Sequence, residues 1–132
     1  MVGYRTKYFS PAILYILLII SFSSLNQAVV SKWSWGIEDF FLHAIEYHLF
    51  GLTLIWAILR EKPIHELKPS YRLAVGIGAL MAIADEYYQS FIPGRFSTLE
   101  DVVADIFGLI LCVITFSVLM KIPILERFRQ NA

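Results

Sequence analysis

A single cysteine, Cys112, stands in the 132 residues, so the chain can form no internal disulfide. An isolated cysteine inside an apolar run is a small packing residue. Charge is scarce as well. Only 17% of residues are Asp, Glu, Lys or Arg, against 58% hydrophobic, too little charge for an ordinary soluble domain. The eleven basic and eleven acidic residues cancel, so no net positive field calls for a nucleic-acid partner. No lipidation signal, internal repeat or low-complexity tract is present.

What the chain has in abundance is long apolar runs. A bilayer core needs roughly 20 mostly apolar residues per helix. Four segments meet that length, about 9–30, 37–59, 72–92 and 99–120. They leave no room for a soluble domain, so residues 1–132 read as one all-α membrane domain, a four-transmembrane-helix bundle. The end of the first run, "SFSSLNQAVV", offers no small-residue cleavage site, so that run reads as a retained anchor. Pro11 fits the first turn of helix one. Pro63 and Pro69 stop any helix from crossing the loop "REKPIHELKPSYR", and helix three is expected from about Tyr71.

The basic residues fix an orientation. Nine of the eleven Lys and Arg flank the runs on one side, with Lys32 and Arg95 on the other. Cationic short loops stay cytoplasmic, so both termini should be cytoplasmic in a multi-pass protein of the cell membrane. Trp33 and Trp35 suit the outer aromatic belt, and Tyr4, Tyr8 and Tyr71 the inner one.

The acids divide the other way. Glu61, Glu66 and Glu126 fall on the cytoplasmic side, while Glu38, Asp39, Glu46, Asp85, Glu86, Glu100, Asp101 and Asp105 lie in the outward half. At about 1.5 Å of rise per residue, Asp85, Glu46, Asp105 and His43 stand ~20, ~21, ~24 and ~26 Å from the cytoplasmic ends of their helices. They therefore share a layer in the outer leaflet. At 100° per residue, Asp39, His43 and Glu46 share one face of helix two, with Tyr47 at its border. Gly78, Ala82, Asp85 and Gln89 share a face of helix three, with Glu86 to one side, and Asp101, Asp105 and Gly108 share one of helix four. Carboxylates facing lipid are costly, so the three stripes should converge on an outward-facing polar chamber. Gly78 and Ala82, four apart, would let a neighbouring backbone approach closely.

Between helices three and four, "IPGR" places Pro93 and Gly94 at the centre of a type II turn. "STLE" and "TLED" are both capping-box starts for helix four. Glu38, Asp39, Glu100 and Asp101 also suit the positive N-terminal ends of their helices, and a purely structural ion-pair network of Glu46, Asp85, Glu86 and Asp105 with Arg95 and His43 is the competing account. His48 points away from the stripe and reads as a packing histidine, and His65 as loop.

So many carboxylates need protonation, water or a bound cation. Asp39, His43, Asp85, Asp101 and Asp105 could supply a divalent metal with oxygen and nitrogen ligands. Arg95 could hold an anionic head group through a bidentate contact. Below the cluster, "LAVGIGALMAIA" and "IFGLILCVITFSVLM" are almost wholly apolar, which disfavours a conducting pore.

The stretch "DEYYQSFIPGRFSTLEDVVADIFG" resembles the signature of the VanZ-like family, in which Asp-Glu, Gln, a Pro-Gly-Arg turn, Asp and a late Gly recur in that order. The match falls on Asp85, Glu86, Gln89, Pro93, Gly94, Arg95, Asp101 and Gly108. Upstream, "DFFLHAIEY" is similar to the family's Asp-Lys-x-x-His segment followed by Tyr, matching Asp39, His43 and Tyr47. Phe40 stands where the family often has Lys, and Asp105 where it often has Asn, which makes this cluster the more acidic. Helix one matches only as a hydrophobic span. The resemblance implies an integral membrane protein of the cell envelope, related to an accessory protein of glycopeptide-resistance clusters associated with teicoplanin.

The site expected to bind ligand is therefore Asp39, His43, Asp85, Glu86, Gln89, Arg95, Asp101 and Asp105. Asp85, Glu86 and His43 are the candidates for acid–base chemistry. The ligand would be a lipid-linked or cell-wall precursor. A metal-assisted membrane hydrolase or transferase and a non-catalytic structural subunit are the rival readings.

Overall fold

The computed structural model describes residues 5–26, 28–30, 38–61 and 67–122, without the side chains of Arg5–Lys7 and Glu61. Among them all regular structure is helical. The main helices are α1 (Arg5–Ser23), α2 (Asp39–Glu61), α3 (Leu67–Gln89) and α4 (Leu99–Leu119). Tyr4, Trp33, Trp35, Pro63 and His65 lie outside the described residues.

Three boundaries differ from the sequence expectation. First, α1 begins at Arg5, so Pro11 lies inside the helix rather than in its first turn. Second, α1 stops at Ser23 although the apolar pattern runs on. There the Ser21 and Ser24 hydroxyls donate to the Leu17 and Ile20 carbonyls at 2.7 and 2.6 Å. Asn26 Oδ1 then accepts from the Ala28 N–H at 2.8 Å. Short polar side chains compete with the backbone for its own hydrogen bonds, and here they end the helix. Third, α3 begins at Leu67 and takes in Pro69. The first four N–H groups of a helix have no intrahelical acceptor, so proline costs little there.

The α3–α4 connection follows its local chemistry. The Arg95 N–H donates to the Ile92 carbonyl at 3.1 Å, and Gly94 has φ +77°, the third-residue conformation of a type II turn. Of the two capping boxes, "TLED" forms. Thr98 caps α4, its hydroxyl accepting from the Asp101 N–H, while the Asp101 carboxylate accepts from the Thr98 N–H.

Packing is most extensive between α2 and α4, with α1 against α2 and α3 against both. One buried stripe on α3 (Ser70, Ala74, Gly78, Ala82, Asp85, Glu86, Gln89) faces the bundle. A Cβ on Gly78 would meet the Leu109 side chain at 2.5 Å, so the neighbour at that small-residue stripe is a side chain rather than a backbone. Gly108 is different. A Cβ there would run into the Ala44 carbonyl oxygen and lie 3.0 Å from the His48 nitrogen. The α2 and α4 backbones touch at that point, one turn from Asp105.

The apolar core (Ile19, Tyr47, Phe50, Ile55, Leu109 and Cys112 among its members) fills the interior. Large hydrophobic residues also cover the outside of every helix, including Leu14, Leu17, Phe41, Ile45, Leu80, Ile83, Phe107 and Ile114. Asp39–Arg60 and Leu99–Leu119 are long and apolar enough to cross a bilayer, and Tyr8–Ser23 is a shorter apolar helix. At one end, Tyr8 meets Trp56 edge-on with ring centroids 5.8 Å apart, and the Arg60 guanidinium lies 5.6 Å from the Trp56 ring centre. Such aromatic–cation clusters suit a membrane interface.

Candidate functional site

The up-and-down order of the helices brings the C-terminal ends of α1 and α3 together with the N-terminal halves of α2 and α4. His43, Asp85, Glu86, Gln89, Asp101 and Asp105 are all buried at this end. The three stripes read from the sequence do converge.

Each polar group has a distinct setting. His43 Nδ1 lies 3.0 Å from Asp105 Oδ1, a buried contact between α2 and α4 held by the close backbone approach at Gly108. Asp105 Oδ2 is buried without a partner. On α3, Gln89 Nε2 donates to Asp85 Oδ2, one turn earlier, at 2.9 Å, and approaches the Ser23 hydroxyl at 3.3 Å. Gln89 Oε1 in turn accepts from Arg95 Nε at 2.7 Å, while one terminal nitrogen of the guanidinium is buried and unpartnered. Gln89 thus links α1, α3 and the turn. Asp101 Oδ2 accepts from the Thr98 N–H and hydroxyl at 3.2 and 2.9 Å, so Asp101 both caps α4 and faces the centre. Both Glu86 oxygens are buried without a hydrogen bond of good geometry, and the Ser97 hydroxyl is the polar group beside them.

Beside this centre lies a cleft of about 390 Å³ between α1 and α2. Tyr15, Leu18, Phe22 and Leu25 form its apolar wall, and Asp39, His43, Glu46 and Arg95 its polar one. Of the ligand-binding residues expected from sequence, Asp39, His43 and Arg95 line the cleft, while Asp85, Glu86, Gln89, Asp101 and Asp105 form the buried layer beside it. Of the five residues expected to hold a metal, Asp85 is engaged by Gln89 and Asp105 by His43. A His43, Glu86 and Asp101 ligand atom instead lie within 4.8 Å of one another.

Sequence reasoning missed the part played by α1. Ser23 reaches Gln89, the Ser24 and Tyr88 hydroxyls are 2.9 Å apart, and Asn26 Nδ2 donates to the Pro93 carbonyl at 3.0 Å. The signal was the change from apolar to polar residues after Ser21. Glu46 was placed in the layer but left out of the expected site, although it lies one turn from His43 on the same face.

Described residues whose regular structure is all helical, with hydrophobic residues outside and a buried ionisable centre inside, have the make-up of a helical membrane protein. The chain belongs to the VanZ/LLP1 family, whose model matches residues 4–120. No curated protein and no solved structure matches it.

Proposed function

We propose that this chain crosses the bacterial cytoplasmic membrane four times, with both termini cytoplasmic, and that its outward end recognises an amphiphile with an anionic head group, a lipid-linked or cell-wall precursor. The cleft carries this reading. One wall is aliphatic and aromatic and the other ends in Asp39, His43, Glu46 and Arg95, so a chain and a head group each meet matching chemistry. Its volume is at the lower end of ligand pockets, enough for a head group and the first part of a chain, with the remainder left in lipid. Arg95 is the one Lys or Arg among the described residues at this end, and its free terminal nitrogen is the donor for a phosphate oxygen.

Topology is tested by a Ser97→Cys variant, at an exposed position of the α3–α4 connection, in a Cys112→Ser background. A membrane-impermeant thiol reagent added to intact cells should label it; labelling only after lysis would reverse the orientation.

Binding is tested with the detergent-solubilised protein, a polyprenyl phosphate and the matching uncharged polyprenol. The phosphate should bind at least about tenfold more tightly, and Arg95→Gln should remove that preference, since a charge-assisted hydrogen bond contributes about 1.5–3 kcal/mol. Equal binding of the two lipids sinks the reading. Turnover of the phosphate would turn the site into that of a metal-assisted hydrolase or transferase. Absence of binding to either lipid would leave the structural-subunit reading. The family's link to teicoplanin extends to this chain if its expression raises the teicoplanin tolerance of a susceptible host.

A further inference from the structure

We propose that His43, Glu86 and Asp101 bind a divalent first-row transition-metal ion at the inner edge of the cleft. Three helices deliver the donors: α2 gives His43, α3 Glu86 and α4 Asp101. All three are buried, and one ligand atom from each lies within 4.8 Å of the others. The independent observation is Glu86. It is 5% exposed, and neither of its carboxylate oxygens has a partner. A buried carboxylate left without hydrogen bonds or a counter-charge is costly. Water could fill the hydrogen bonds but not the charge, and of the nearby groups able to carry positive charge His43 is turned to Asp105 and Arg95 to Gln89 through Nε. A dication supplies both.

The neighbours are arranged for it. His43 meets the Asp105 carboxylate through Nδ1. With the proton on Nδ1 the lone pair is on Nε2, and an ion held there would complete the carboxylate–histidine–metal arrangement in which an outer carboxylate fixes the tautomer and raises ligand basicity. Asp101 spends one oxygen on Thr98 and keeps the other. Asp85 is an outer residue because Gln89 occupies it. One nitrogen and two carboxylate oxygens suit zinc or manganese better than the all-oxygen shells of calcium and magnesium. Donors around a tetrahedral ion at ~2.1 Å stand ~3.4 Å apart, so binding draws these three together by up to roughly 1.4 Å. Glu86, with only the Ser97 hydroxyl beside it, is the side chain able to move. Three protein donors leave a coordination position open, and His43, the donor that lines the cleft, would set the ion beside Asp39 and Glu46, whose charge an anionic head group would otherwise meet. This deepens the proposed function, since the ion would complete the anion-binding end of that site.

The test uses the full-length protein in detergent without added lipid. It is stripped with a chelator, loaded separately with Zn²⁺ and Mn²⁺, freed of excess ion and assayed for metal by mass spectrometry, with affinities from titration. Wild type should hold one equivalent of at least one of the two ions. Glu86→Gln and His43→Gln should lose it or bind at least tenfold more weakly, and Asp105→Asn should weaken it by about 10–100-fold. Asp85→Asn should retain it. Glu86→Gln removes an uncompensated buried charge, so it should fold at least as stably as the stripped wild type. Failure of wild type to hold either ion overturns the proposal. So does a loss in Asp85→Asn equal to that in Glu86→Gln. A protein that binds metal but no polyprenyl phosphate keeps this site and rejects the ligand reading; one that binds the phosphate in the presence of chelator, and no metal, does the reverse.

Discussion

Replacing Gly108 by valine should separate α2 from α4 and cost the protein about 3 kcal/mol or more, the upper end of what overpacking does. Two effects oppose each other at this residue. Loss of a helical glycine gains up to about 1 kcal/mol of helix propensity. Against that, the first carbon of any side chain runs into the Ala44 carbonyl oxygen and lies 3.0 Å from the Ala44 carbonyl carbon and the His48 nitrogen. All three are backbone atoms and cannot swing aside. The clash therefore wins, even for alanine, and valine adds two methyl groups to it. Gly76 is the internal control, because a Cβ there meets nothing within 4 Å. Gly76→Ala should be neutral or stabilising by about 1 kcal/mol. Thermal unfolding in detergent reads both. If Gly108→Ala proves as stable as Gly76→Ala, the backbones do not touch there. Since Asp105 is one turn from Gly108, the same variants should also loosen the His43–Asp105 contact and weaken whatever this end of the bundle binds.

That glycine marks the boundary between what the sequence displayed and what it hid. The Pro93–Gly94 turn and the Thr98 cap were legible because their chemistry is local: a fixed φ, a tolerated positive φ, a hydroxyl three residues before a carboxylate. The converging stripes were legible because helical periodicity places residues on faces. The end of α1 was not. Hydropathy continues through Val29 and Val30, while Ser21, Ser24 and Asn26 take backbone partners that hydropathy does not register. Pro69 misled in the other direction, since the same residue that stops a helix is harmless in a first turn. Hidden altogether was the pairing within the acidic layer. By sequence Asp85 and Asp105 stood among the metal candidates and Glu86 outside them, until the α2–α4 contact gave Asp105 to His43, Gln89 took Asp85, and Glu86 was left with only the Ser97 hydroxyl beside it. The His43–Asp105 contact joins residues 62 positions apart, whereas Gln89 and Asp85 are one turn apart on α3 and their pairing is local.

The His43–Asp105 pair should prove dispensable for stability although breaking it is costly. In chelator-treated protein, His43→Leu leaves the Asp105 carboxylate buried without its partner, and Asp105→Ala leaves His43 Nδ1 in the same state. Orphaning a buried polar group costs about 1–3 kcal/mol. The double variant removes both groups at once, and with them the Asp105 oxygen that is already unpartnered in the native fold. Replacing both members of a buried polar pair by apolar side chains is often neutral or stabilising. The double variant should therefore be more stable than the sum of the singles predicts, by at least about 1 kcal/mol, compared with ~0.6 kcal/mol for a typical interhelical hydrogen bond in a membrane. Strict additivity would mean that the two side chains do not interact. Adding Zn²⁺ then separates stability from function. An ion held by the folded protein at a hundred times its dissociation constant stabilises it by about 2.7 kcal/mol, and the double variant should gain nothing. A bundle that folds as well without this pair, yet no longer responds to the ion, keeps its buried histidine and aspartate for what they bind.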